Sequence, residues 1–318
     1  MTGQIPPPGP HGGDGARIAA ALGVEPDDVL DLSASLNPFA PDVAALARRH
    51  LSALRRYPDT DVAEQQLAAA IALPAERLVL TGGAAQAIAL LAAQLGAGWV
   101  HEPEFSLYRR HLPRLDPAAP RWRSDPHNPT GLLADTGIGD TDVAGAEPAV
   151  WDEAFLPLSA GVWTRNRPGW AVGSLTKAFA CPGLRLGYAL APTAHEALRL
   201  RRRRPAWAAG GLACAVLPDL LEHADPPGWT RRIRAARNAL AVVLRHHGYR
   251  PLPSEAPWLL VPDAAGLRDR LAREMVVVRD CGSFGLPGHV RIAVPDATGL
   301  ERLEDALRAS GGRHLDAG

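Results

Sequence analysis

The sequence predicts an α/β protein: a mainly parallel sheet covered on both faces, joined to a smaller α+β part. Two observations carry this. From Val29 onward, short apolar runs alternate with longer stretches of helical periodicity. After Pro192 that alternation gives way to long helices followed by short strands. The 318 residues agree with a divided core, since chains longer than roughly 250–300 residues usually split into domains.

The opening MTGQIPPPGPHGGDG is rich in Pro and Gly without apolar periodicity and reads as an irregular arm. Strands follow at 29–32, 77–80, 98–101, 149–151, 169–173 and 185–189, with helices at 61–72, 84–95 and 106–112 between them. Thr60 or Asp61 is the expected first cap of the helix at 61–72. Residues 132–145 read as a loop. Beyond Pro192, helices are expected at 193–203, 207–223, 229–247 and 298–310, with strands at 258–261, 275–279 and 289–294.

Composition narrows the function. Basic and acidic residues balance at 34 each, so no charge excess favours nucleic acid or an anionic membrane. No apolar stretch approaches the roughly 20 residues of a membrane span. The N-terminus has neither the basic nor the apolar region of a signal peptide, so a cytoplasmic address is expected. Cys181, Cys214 and Cys281 form neither a disulfide framework nor a metal-binding spacing, and no metal site is expected.

Of the 34 basic residues, 33 are arginine and one, Lys177, is lysine. An arginine-rich composition replaces lysine where charge alone matters, but arginine cannot serve as a neutral amine nucleophile. Taken alone, the single lysine is either an accident of composition or a retained amine. The run Arg201–Arg204 is likewise open at this level, a phosphate patch or a solvated helix end favoured by the dipole.

Three segments carry chemistry. GSLTKAFACPGLRLGY puts Lys177 just past a strand, beside Ser174 and Thr176 and eight residues before Arg185, a grouping suited to a phosphorylated ligand that also forms a Schiff base. VWDEAF ends an apolar strand with Asp152, where open α/β sheets bind ligands. A carboxylate there can keep a pyridine nitrogen protonated. LTGGAA supplies Gly82 and Gly83 for a tight turn into a helix N-terminus able to meet a phosphate.

In this order the segments resemble the fold-type-I pyridoxal-phosphate enzymes. Within them the chain is most similar to the L-threonine-O-3-phosphate decarboxylases of cobalamin biosynthesis, with the histidinol-phosphate aminotransferases as near relatives. The resemblance runs from His11 to about Val294 and implies a large domain with a seven-stranded sheet. It divides the chain into an arm and part of a small domain at 1–40, a cofactor-binding domain at 41–225 and a small domain at 226–318. By resemblance, Lys177 is the Schiff-base lysine and Asp152 the partner of the ring nitrogen. Asn128 of HNPTG donates to the ring hydroxyl, and Gly83, Ala84, Ser174 and Arg185 hold the cofactor phosphate. Phe105 matches an aromatic that stacks on the ring, or else is a core phenylalanine. Tyr57 of RRYPD matches a tyrosine that reaches the neighbouring subunit's cofactor phosphate, implying a homodimer. Arg291 of VRIAV and Asn37 match the substrate-carboxylate site. His11 either contacts the distal group of the substrate or caps a loop.

Four segments resemble the decarboxylases more than the aminotransferases: His11–Asp14 (HGGD), DLSASLNP, DEAF with Phe155, and Arg279–Phe284 (RDCGSF). Phosphothreonine decarboxylation is therefore the expected activity. The alternatives are amino-group transfer, decarboxylation of another acidic amino acid in secondary metabolism, and a non-catalytic binding relative. Departures fall on the distal side. Pro295 stands where a further arginine is usual, and Asp14 replaces an asparagine, adding negative charge where a phosphate would come close.

Overall fold

The computed structural model describes residues 4–134 and 149–311, so the loop expected at 132–145 falls outside the described residues from 135 on. The strands are β1 Leu30–Asp31, β2 Leu78–Thr81, β3 Trp99–Val100, β4 Arg121–Ser124, β5 Val150–Asp152, β6 Trp170–Gly173, β7 Gly187–Leu190, β8 Trp258–Val261, β9 Val276–Val277, β10 Arg279–Asp280 and β11 Val290–Ala293.

The central sheet has the order β2-β7-β6-β5-β4-β3. β3 to β6 pair in parallel, and β7 runs antiparallel to both its neighbours. Of the seven strands expected, six form among the described residues, and one parallel bridge, Gly98 to Leu115, continues the sheet past β3. Strand side chains alternate between faces. In β2, Leu78 and Leu80 therefore join one core cluster with Leu175, Tyr188 and Leu217, while Val79 joins another with Ile88, Leu91, Trp122 and Val172. Burying one such leucine contributes roughly 1.5–3 kcal/mol, and having apolar clusters on both faces explains why these strands read as continuous apolar runs.

β4 was not expected, because Arg-Trp-Arg-Ser carries no apolar alternation. All four residues are nevertheless buried. Arg121 stacks over Trp99 at 5.5 Å and Arg123 lies near Trp151 at 5.9 Å, so tryptophan faces shelter the guanidinium groups. The helix Thr60–Ala70 is capped by Asp59, one residue before the expected position, whose carboxylate accepts from the N–H groups of Asp61 and Val62.

The arginine run turns out to be neither a phosphate patch nor simply a solvated helix end. Arg201 donates to the carbonyls of Ala75, Glu76 and Leu78, and Arg204 to that of Leu80. Both pair with buried Glu64, whose carboxylate also accepts from the Leu80 N–H. Together they close the open edge of β2, which would otherwise present unpaired backbone groups. Only Arg202 and Arg203 are exposed.

A three-stranded antiparallel sheet, β10-β11-β8, and the parallel pair β1-β9 form a second layer. The strand expected at 275–279 is two strands in two sheets: β9 pairs with β1 and β10 with β11. Between them Val278 is buried in the main cluster. No helix among the described residues is long and apolar enough to cross a membrane.

Candidate active site

The cavity lies at the C-terminal ends of β4, β5 and β6, where parallel strands stop and their connections splay apart. Its volume is about 380 Å³. His11, Ala84, Phe105, Asn128, Asp152, Ser174, Lys177, Arg185 and Arg291, drawn from across the sequence, all line it.

Lys177 sits in the short helix Leu175–Ala178 directly after β6. Its Nζ donates to the Ala34 carbonyl at 2.8 Å. Burial, with Arg291 and Arg185 adding positive potential, pulls its amine down to about 8. That supplies neutral amine at accessible pH, the form a nucleophile needs. Asp152 ends β5. Its Oδ2 accepts from the Tyr108 hydroxyl at 2.7 Å and its Oδ1 from the Ala154 N–H at 3.0 Å. Burial raises its carboxyl, and the Tyr108 hydroxyl, the Ala154 N–H and nearby Lys177 oppose that rise.

One end of the site is built from Ala84, at the start of the helix Ala84–Leu95, and Arg185, with Gly83 just behind the lining. Gly83 has φ +91°, a conformation that favours glycine, and a β-carbon there would lie 2.6 Å from Arg185 Nη2, so a side chain would push the guanidinium from its place. Arg185 is itself a non-glycine residue in the left-handed region, at φ +56°. Strain of this kind persists where the surroundings enforce it, often at ligand clamps.

At the opposite end, Arg291 of β11 is buried and donates to Asn128 Oδ1. Its guanidinium lies 4.7 Å from the Trp258 ring and 5.8 Å from the Phe284 ring. Its Nε is buried without a partner, the kind of vacancy an anionic ligand satisfies. Phe105 lines the cavity and also packs against the second core cluster, so its two readings coincide.

His11 reaches the cavity because the arm is fastened from several sides. Arg279 donates to the Gly9 and Pro10 carbonyls at 3.0 and 2.6 Å, and the Gly13 N–H donates to Ser33 Oγ at 2.8 Å. A β-carbon on Gly12 would lie 2.1 Å from the Ser33 carbonyl oxygen, and Gly13 has φ +96°, so the two glycines of HGGD answer different needs. Burial, then Arg279 and Arg110, lowers the His11 imidazole, and its Nδ1 is buried without a partner.

Two expectations need correction, and Tyr57 lies apart from the cavity of its own chain. Asn37 does not line the cavity: its amide donates to the Ala178 carbonyl at 2.8 Å and its side-chain oxygen accepts from the Phe39 N–H, so it braces the Lys177 helix instead. Asp14 does not line the cavity: it accepts from the Gly9 N–H and pairs with Arg17. Tyr57 is 78% exposed, away from its own chain's cavity, and stacks on Trp207 with ring centres 4.5 Å apart. Tyr108, Ser124 and Glu104 adjoin the site without a sequence motif of their own. Tyr108 lay within an expected helix one turn after Phe105, and that spacing was the available signal.

A lysine amine of lowered pKa, a buried carboxylate and a guanidinium beside a helix N-terminus define the site of a pyridoxal-phosphate-dependent enzyme. The donor set fits the cofactor: a base for its aldehyde, an acid for its ring nitrogen and cations for its phosphate. Residues 124–308 match the aminotransferase class I and II family. The chain belongs to that family, which depends on pyridoxal phosphate.

Among characterised relatives, the chain is 29% identical to a threonine-phosphate decarboxylase of Salmonella typhimurium, covering 94% of this chain and 95% of that one. It is 28% identical to a histidinol-phosphate aminotransferase of Symbiobacterium thermophilum, covering 89% and 91%. Among solved structures, the L-threonine-O-3-phosphate decarboxylase of Porphyromonas gingivalis shares the fold with a TM-score of 0.70 at 22% identity, covering 88% of this chain and 99% of that one. A histidinol-phosphate aminotransferase of Sinorhizobium meliloti, in complex with pyridoxal-5'-phosphate, superposes with a TM-score of 0.71 at 19% identity, covering 87% and 89%.

Proposed function

We propose that the protein decarboxylates a phosphorylated amino acid, L-threonine O-3-phosphate, to (R)-1-amino-2-propanol phosphate for cobalamin biosynthesis. The observation that carries this reading is the contact between two segments that resemble the decarboxylases. Arg279 of RDCGSF holds the backbone leading into HGGD and so sets His11 in the cavity. Similarity to the Salmonella decarboxylase over nearly the full length of both chains supports it.

Pyridoxal phosphate, when bound, supplies an electron sink for bond cleavage at the substrate's Cα. Lys177 would hold the cofactor, and its amine is the group available to return a proton to Cα. Asp152, steadied by Tyr108, would pair with the ring nitrogen and favour its protonated form. Asn128 and the stacked face of Phe105 fix the ring, while Gly83, Ala84, Ser174 and Arg185 hold the phosphate. Arg291 grips the substrate carboxylate through its fork. Its guanidinium, seated between Trp258 and Phe284, would fix the direction in which that carboxylate is held. His11 meets the distal group. Tyr57 of a second copy completes the phosphate site, in a cytoplasmic homodimer.

Incubation with threonine phosphate tests the reading: release of carbon dioxide and the amino-alcohol phosphate is expected. A keto acid formed only with an amino acceptor, without carbon dioxide, overturns it. That outcome would favour amino-group transfer, which the 28% identity to a histidinol-phosphate aminotransferase supports as the second reading.

A further inference from the structure

Behind Asp152 lies a second buried carboxyl with no part in the chemistry above. Glu104, immediately before Phe105, is 3% exposed. Its Oε2 lies 2.6 Å from Ser124 Oγ, and its Oε1 accepts from the Ser124 N–H at 3.0 Å. Ser124 Oγ in turn accepts from the Asn128 N–H at 2.8 Å and contacts the Tyr108 hydroxyl, which donates to Asp152. One chain of contacts therefore runs from Glu104 through Ser124 and Tyr108 to Asp152, with a branch to Asn128.

We propose that Glu104 is a positioning residue of the ring-binding site: as a neutral carboxylic acid it orients the Ser124 and Tyr108 hydroxyls toward Asp152 and fixes the backbone of Asn128.

The argument is one of hydrogen count. Ser124 Oγ has a single proton to give. If Glu104 is ionised, it takes that proton, and Tyr108 is left with no donor behind it. If Glu104 is neutral, it donates to Ser124, Ser124 is free to donate to Tyr108, and every proton in the chain points at the Asp152 carboxylate. Cooperative chains of this kind strengthen each member. The neutral state also avoids placing two carboxylates on one hydroxyl pair. The groups facing Glu104 favour it. Asp152 from β5 repels a second negative charge, and Tyr108 from the helix Leu107–His111 is neutral. The Glu102 carboxylate accepts from the Glu104 N–H. Among the described residues, His127 stands 3.9 Å away with its ring nitrogens on Thr130 and the Pro103 carbonyl. Burial dominates and raises Glu104 to about 8. The inference concerns the ring site alone and holds for decarboxylation and amino-group transfer alike.

The test uses apoprotein and 4-deoxypyridoxine 5-phosphate, a cofactor analogue without an aldehyde, so that Lys177 forms no covalent bond. Dissociation constants are compared for the wild type, Glu104→Gln and Glu104→Ala near pH 7 and near pH 9. Glutamine reproduces the neutral acid, its carbonyl accepting from the Ser124 N–H and its NH₂ donating to Oγ. Near pH 7, Glu104→Gln should bind within about threefold of wild type and Glu104→Ala about tenfold more weakly. Between the two pH values, wild type should lose about tenfold more affinity than Glu104→Gln, since only wild type gains a charge there. The Lys177 titration is common to both proteins and cancels in that comparison. Equal pH responses of wild type and Glu104→Gln, or a Glu104→Gln protein as weak near pH 7 as the alanine variant, overturn the proposal.

Discussion

Lys177 Nζ donates to the carbonyl oxygen of Ala34 at 2.8 Å, across 143 residues of sequence. The Asn37 N–H returns a bond to the Lys177 carbonyl at 3.1 Å. The DLSASLNP segment thus holds the lysine at both its amine and its backbone.

The amine of Lys177, held down to about 8 by burial and by Arg291 and Arg185, sets the pH dependence of cofactor capture. Lowering the pKa of a base enlarges its neutral fraction above the new value. Recombination of apoprotein with pyridoxal phosphate should therefore quicken about tenfold per pH unit below 8 and level off above it. Stopped-flow absorbance measures this. A rate still climbing toward pH 10, where an ordinary lysine titrates, contradicts it.

Gly83→Ala forces a β-carbon against Arg185 at a residue whose φ is +91°. The strain should cost about 1–3 kcal/mol locally and weaken cofactor phosphate binding about tenfold or more. Equilibrium titration with pyridoxal phosphate checks this, and unchanged affinity would show that Arg185 is free to move aside.

Arg291→Lys keeps the charge but loses the planar fork and its seat between Trp258 and Phe284. The expected result is KM for the amino acid raised about 10- to 100-fold with cofactor affinity nearly unchanged. Loss of cofactor affinity instead would mean that Arg291 acts chiefly through Asn128.

How far the sequence carries is seen in particular residues. Asp152 and Lys177 were legible because each follows an apolar strand, where a polar side chain has no packing role. β4 was not, because its arginines are buried against tryptophans contributed by two other strands. The break within 275–279 was hidden in the same way: β9 finds its partner far away in sequence, in β1, whereas β10 turns back on the next strand, β11. Asn37 fitted a resemblance, yet its amide is committed to backbone that only the fold brings near. The arginine run looked like surface because charge patterns do not reveal an adjacent strand edge.

That edge gives a stability prediction. Glu64→Ala removes the carboxylate shared by Arg201, Arg204 and the Leu80 N–H. With Arg201 partly solvated, the loss should be about 2–4 kcal/mol, measurable by urea unfolding. A change below about 0.5 kcal/mol, the range of ordinary surface substitutions, would show that the clamp is replaceable.

The most direct measurement exploits the single lysine. Borohydride reduction of the reconstituted protein, followed by peptide mass mapping, should place the phosphopyridoxyl group on the peptide containing Lys177. Lys177→Arg should fold normally, take up no covalent cofactor and lose turnover. A label on the N-terminal amine, no label at all, or an active Lys177→Arg protein would contradict the assignment of Lys177 as the residue that holds the cofactor.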